Sequence, residues 1–207
     1  MIGQGNYGYV HYGKDGSEII TCTDGSEWKE GEVAKIGRDL QRELKKVEAI
    51  RAHYPKIAEF AILPTRVCAT DEAKYAKYVE DQPDSDTKMM LNLDQSGSPE
   101  ILFAPYGGET LTNVSGPDVV RALKVLREQV ADMNANKVYH NDIGQSNIVY
   151  KDGKAYLIDF GSGGIADDDY NPEESPDLEM LDDIIPRKGA KKGARRSRRK
   201  GFQRNRQ

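Results

Sequence analysis

No apolar run in these 207 residues approaches the roughly 18–20 needed to cross a bilayer as a helix. The first residues lack the charged start and apolar stretch of a secretory leader. Only two cysteines occur, Cys22 and Cys68, too few for a disulfide framework, so a reducing compartment is expected. Internal repeats are absent. These absences predict a soluble protein, cytoplasmic or nuclear, in a cell, a host cell or a virion, not secreted and without a membrane partner. Acidic residues are missing from the end of the sequence, where basic ones crowd. Residues 187–207 hold 11 Lys/Arg and no Asp/Glu, leaving 19 basic against 34 acidic groups in residues 1–186, a balance of −15. The net charge of −4 therefore hides an acidic body with a basic arm.

The hydrophobic pattern predicts an α+β chain. Residues 1–36 read as strands, with Asp24-Gly25 as a hairpin signal and an extra hairpin in the gap between Val10 and Lys35. Leu40, Leu44, Val47 and Ile50 recur at helical spacing over 38–52. Phe60–Pro64 reads as a short strand, 80–99 as a polar loop, and Ile101–Phe103 as a buried strand running into Ala104-Pro105-Tyr106-Gly107-Gly108. A second helix is expected from Pro117 to about Asn136, with Val120, Leu123, Val125, Leu126, Val130 and Met133 on its apolar face. A tight turn at Asp152-Gly153, a strand at Tyr156–Ile158, an acidic linker from Asp167 to Glu174 and a short helix over Leu178–Ile185 follow.

Four segments carry chemistry. Gly3-Gln4-Gly5-Asn6-Tyr7-Gly8-Tyr9-Val10 lets backbone approach phosphates closely. Val33-Ala34-Lys35-Ile36 places a lysine in a strand. His140-Asn141-Asp142 leads, five residues after the aspartate, to Asn147, and Asp159-Phe160-Gly161 comes last. Each of the first two alone is an ordinary turn or a strand-edge charge. In this order, the four resemble the glycine-rich loop, strand lysine, catalytic loop and metal-binding triplet of the protein-kinase family. The resemblance covers roughly residues 1–186. It implies a bilobal fold, with a β-rich N-lobe over 1–103, a hinge and truncated helical C-lobe over 104–186, and a disordered basic tail from 187.

The resemblance also implies roles. Gly3, Gly5, Gly8 and Val10 would cover ATP, and Lys35 would pair with its phosphates and with a helix glutamate. Glu43 is the first choice for that glutamate and Glu48 the alternative. Asp142 would take the proton of the attacking hydroxyl, and Asn147 and Asp159 would hold Mg2+. Pro105 has no N–H, so a hinge donor to adenine would come from Ala104 or Tyr106, with Phe103 narrowing the back of the pocket. His140 reads as structural rather than as a metal ligand.

Departures from the family pattern bear on switching and substrate. Asn141 stands where many kinases carry an arginine that reads activation-segment phosphate, and Gly144 stands where serine/threonine kinases carry a lysine. No Ala-Pro-Glu follows Gly161, and only 46 residues remain after it. This compact form resembles the atypical kinases, namely the small kinase of the tRNA-modifying complex, through Asp177-Leu178-Glu179-Met180-Leu181, and the short kinase-like proteins of large DNA viruses, through Pro105–Gly108 and His-Asn-Asp. An ATP-dependent serine/threonine protein kinase is the leading expectation. A pseudokinase working as a binding module and a kinase-fold phosphotransferase of small molecules stay open. The partners expected are a protein substrate and, through residues 187–207, nucleic acid or an acidic partner. Phe202 is the one aromatic there, so base stacking is not indicated.

Overall fold

In a computed structural model, residues 3–5, 8–12, 20–81, 97–167 and 175–186 are described, the first two segments by their backbone path alone. The chain is α+β, with small antiparallel sheets and four helices among the described residues. A five-stranded sheet has the order β1 (Gly3–Gly5), β2 (Gly8–Tyr12), β3 (Glu32–Arg38), β5 (Pro99–Pro105), β4 (Arg66–Ala69), all neighbours antiparallel. Period-two alternation splits β3 between two environments. Ala34 and Ile36 are buried on one face with Ile101 and Phe103. Lys35 takes the other face, opposite Leu102 of β5 in register.

Helix α1 (Leu40–His53) covers the Lys35 face. Leu40 and Leu44 pack on Leu102 with Val67 beside them, while Val47 and Ile50 reach down into the second core. The helix ends at Tyr54, and Pro55 opens a 3-10 turn, Pro55–Glu59. The opposite face is covered by α2 (Glu72–Glu80), through Tyr75, Tyr78 and Val79, and by the segment carrying Ile20, Cys22 and Trp28. The N-cap of α2 is Asp71, whose carboxylate accepts the Lys74 N–H at 3.0 Å.

The second core surrounds α3 (Pro117–Ala135). Val119, Ala122, Leu123, Leu126, Val130 and Met133 form its buried stripe against Leu111, Val138, Ile143, Ile148, Leu157, Phe160 and Leu181. A three-stranded sheet, β6 (Glu109–Thr110), β8 (Ile148–Lys151) and β9 (Lys154–Leu157), and a two-stranded pair, β7 (Val138–Tyr139) with β10 (Gly164–Ile165), lie around it. Asp152 and Gly153 join β8 to β9 with φ of 50° and 80°, the two-residue turn that suits strand twist. Helix α4 (Pro176–Ile184) closes this region, with Asp182 ion-paired to Arg127 of α3.

Several expectations change. Cys22 and Cys68 form a disulfide with Cα atoms 5.6 Å apart, although 46 residues separate them. Spacing gives no sign of this, because the pairing follows from Cys22 bridging Thr70 beside β4. The described part of the Val10–Lys35 gap is not an inner hairpin. It runs along β4, with the Thr23 N–H donating to Ala69 C=O at 2.9 Å. Phe60–Pro64 is no strand either: a single parallel bridge joins Ala61 to Leu157. Val125 is 55% exposed, off the buried stripe of α3, where Val119 and Ala122 stand instead. The helix α2 and strand β4 were not expected. Most of the 80–99 loop, the acidic linker beyond Asp167 and the basic tail lie outside the described residues.

Candidate active site

Three distant segments meet at Lys35. Its Nζ donates to Glu43 Oε2 at 2.8 Å and to Asp159 Oδ1 at 3.2 Å. The lysine is held by β3 and the glutamate by the face of α1 turned toward the sheet. Glu48, the alternative partner, is exposed. The Lys35 side chain is 10% exposed, so water screens these charges poorly. Burial opposes its charge, but Glu43 and then Asp159 outweigh that, and its pKa lies above the ordinary lysine value. Burial raises the pKa of Glu43, against the attraction of Lys35 and with the repulsion of Asp159. Lys35 thus faces two carboxylates in a poorly screened setting, and Lys46 of α1 adds a second positive charge near Glu43.

The second group is on the loop after β7. Asn147 Nδ2 donates to Asp142 Oδ2 at 3.0 Å and to Asp142 C=O at 2.9 Å. The Ile158 N–H donates to Asn147 C=O at 3.0 Å, which ties this loop to the residue preceding Asp159. Asp159 has φ 61° and ψ 75°, left-handed backbone that is uncommon outside glycine, though aspartate adopts it more readily than most residues. Its Oδ1 also accepts the Gly161 N–H at 3.2 Å.

His140 is structural here. It is fully buried, its Nε2 donates to Ile158 C=O at 2.9 Å, and its Nδ1 accepts the Asp142 N–H at 3.3 Å. Burial lowers its pKa, so it stays neutral, and Phe160 packs edge-on at 4.5 Å. Beneath it lies a residue for which no role was foreseen. Asp177, fully buried at the start of α4, accepts N–H bonds from His140 at 2.8 Å, Asn141 at 2.7 Å and Asn134 Nδ2 at 3.0 Å. The available signal was its place just after Ser175-Pro176 in the Asp177–Leu181 stretch, but Glu179, Asp182 and Asp183 in the same helix mask it.

The hinge differs from expectation. Phe103 points away from Lys35, into the opposite face, between Trp28 and the Arg66 guanidinium. Leu102 holds the position facing Lys35. An odd-even slip of one residue decides this, because side chains alternate along a strand. The Tyr106 N–H donates to Gly31 C=O at 2.8 Å, prolonging the β3–β5 ladder, so adenine binding through it would require that bond to break. Ala104 pairs with Val33 in the same ladder. Gly107 and Gly108 are required by packing. A Cβ would lie 2.8 Å from Ile62 and Val149 at the first, and 2.3 Å from Tyr150 C=O at the second. At Gly144, by contrast, a Cβ would meet only Ser146 Oγ, at 3.8 Å.

Gly3 pairs with Val10, Gly5 with Gly8, and Val10 with Lys35, so the backbone of the glycine hairpin continues the sheet at the lysine strand. The Asp159 carboxylate and the Asn147 amide oxygen are hard oxygen donors of the type that suits magnesium, with the Asp142 carboxylate held beside Asn147. Among the described residues, one group of three His, Cys, Asp or Glu has ligand atoms within 4.8 Å of one another, Cys22, Asp24 and Cys68, and its sulfurs are joined in the disulfide. No helix among the described residues is long and apolar enough to cross a membrane. No protein-family model and no curated protein matches the chain.

Proposed function

We propose that this chain is an ATP-dependent phosphotransferase of the protein-kinase type, minimal and atypical, that modifies serine or threonine hydroxyls of a protein. The observation that carries the reading is the meeting of Lys35, Glu43 and Asp159, 8 and 124 residues apart in sequence, in one desolvated cluster. A strand lysine paired to a helix glutamate beside an aspartate that can hold a metal is the arrangement protein kinases use for phosphoryl transfer from ATP. On this reading the five-stranded sheet with α1 and α2 is an N-lobe, and the α3 core is a reduced helical C-lobe.

Lys35 would neutralise the α- and β-phosphates, with Glu43 fixing its position. Asp142 would orient the substrate hydroxyl and take its proton as the oxygen attacks the γ-phosphorus and ADP leaves. Asn147 and Asp159 would hold magnesium, which when bound supplies positive charge to the phosphate oxygens. Asn147 also fixes the Asp142 carboxylate through its amide N–H, and Asp177 holds the loop from below. Gly3, Gly5 and Gly8 would bring backbone to the phosphates, with Val10, Ala104 and Tyr106 around the base. The basic arm, 187–207, would recruit nucleic acid or an acidic partner.

The test is transfer of γ-labelled phosphate from ATP to a panel of proteins. Asp142→Asn and Lys35→Met should each lose at least about a hundredfold in kcat while keeping the parent fold. Transfer at the parent rate in either variant would overturn the reading.

A further inference from the structure

The Asp159–Gly161 turn starts from left-handed backbone and is surrounded by contacts from three other parts of the chain. Asp159 carries its left-handed φ of 61° on a side chain with a Cβ. Its carboxylate is held by Lys35 and by the Gly161 N–H, and Phe160 is buried against His140. One further contact comes from α1, where Lys46 Nζ donates to the Gly161 carbonyl. Lys46 stands three residues after Glu43, one helical turn along the same face. Helix α1 therefore grips both ends of the turn, Asp159 through Glu43 and Lys35, and Gly161 through Lys46. The fit is close, since a Cβ at Gly161 would lie 3.0 Å from Asp159 Oδ1 and 3.9 Å from Glu43 Oε2.

We propose that Lys46 is a positioning residue that latches the Asp159–Gly161 turn to α1, so that the carboxylate stays beside Lys35 without a modified segment downstream. Its catalytic consequence rests on the phosphotransferase reading; its structural content does not. A lysine at this position can do what a phosphate-reading arginine does elsewhere, because a fixed cation on α1 meets a backbone oxygen directly. The neighbouring Lys45 is exposed and makes no such contact among the described residues, which supplies a control of equal charge.

Amide hydrogen exchange of the full chain tests the latch. Lys46→Met should speed exchange over residues 159–165 about five- to tenfold, the size expected for one partly exposed charge-assisted hydrogen bond. Lys46→Arg, which keeps a cationic donor, and Lys45→Met should exchange as the parent does. Lys46→Gln repeats the test if the methionine variant misfolds. In kinetics, Lys46→Met should raise KM for ATP and the Mg2+ concentration at half-maximal rate by a similar factor, with kcat largely restored at saturation because ligand selects the latched turn. Unchanged exchange in Lys46→Met, or equal acceleration in Lys45→Met, would overturn the proposal. If the parent transfers no phosphate, the phosphotransferase reading fails and the exchange comparison alone decides the latch.

Discussion

The two faces of the five-stranded sheet are built on opposite terms. The α2 face buries Ile20, Ala34, Ile36, Tyr75, Tyr78, Val79, Ile101 and Phe103 and is stapled by the Cys22–Cys68 disulfide. On the α1 face, among the described residues, Leu40, Leu44 and Leu102 form a smaller buried apolar cluster, with Lys35, Glu43 and Asp159 beside it. Burying ionised groups costs free energy even when they are paired. The first face therefore contributes stability that the second spends on a charged cluster. Substitutions on the two faces should separate stability from chemistry.

The largest effect expected is on the site face. Asp159→Asn removes a partner of Lys35 and, on the phosphotransferase reading proposed above, a charged magnesium ligand, so phosphotransfer should fall by at least about three decades in a filter-binding assay. The thermal midpoint should move by only a few degrees. A variant that unfolds would show that the charged cluster also holds the fold.

On the opposite face, Phe103→Ala should cost about 3–5 kcal/mol in urea unfolding, the usual loss for a buried aromatic. Removing the disulfide with Cys68→Ser should cost about 4 kcal/mol by the loop-closure estimate for its 46-residue separation. Both variants, assayed well below their midpoints, should keep the parent KM for ATP. A raised KM in either would mean that the faces are coupled through the sheet.

A smaller effect sharpens the register. Leu102→Gly should admit ATP analogues with bulky N6 groups, whereas Phe103→Gly should lose stability without gaining them. Competition with labelled ATP reads this directly, and the reverse result would return Phe103 to the pocket.

The smallest effect is in pH dependence. Burial, the largest influence on Glu43, holds its pKa above the ordinary 4.5 despite Lys35. A group raised on folding stabilises fully below its unfolded value and loses that contribution as pH rises through its folded value. Glu43→Gln should therefore flatten the decline of stability as pH climbs upward from about 4.5, measured by urea unfolding at stepped pH. An unchanged slope would mean that Glu43 is better solvated than its 12% exposure implies.

Sequence was most informative where period and chemistry agree locally. Leu40, Leu44, Val47 and Ile50 announced α1, and Glu43 on that stripe announced the partner of Lys35, because a 3.6-residue period fixes which side chains share a face. The five-residue spacing of Asp142 and Asn147 within one loop allows the Asn147 Nδ2 to reach the Asp142 carboxylate, whereas the meeting of Asp159 with Lys35 has no local signal. Helix α2 escaped although Asp71, Tyr75, Tyr78 and Val79 carried a cap and a stripe, since a nine-residue helix gives a weak periodic signal.

What the sequence by itself determined was a set of short-range facts: the two long helices and the closing one, which loops carry carboxylates, and where the charge asymmetry lies. Tertiary structure decided everything that depends on distant segments meeting. It paired Cys22 with Cys68, turned Phe103 away from Lys35 and Leu102 toward it, engaged the Tyr106 N–H with Gly31, and set Asp177 beneath the His140–Asp142 loop. The physical reason is that local propensity acts over a few residues, whereas sheet register and buried hydrogen bonds are settled by packing between elements that the chain brings together only on folding.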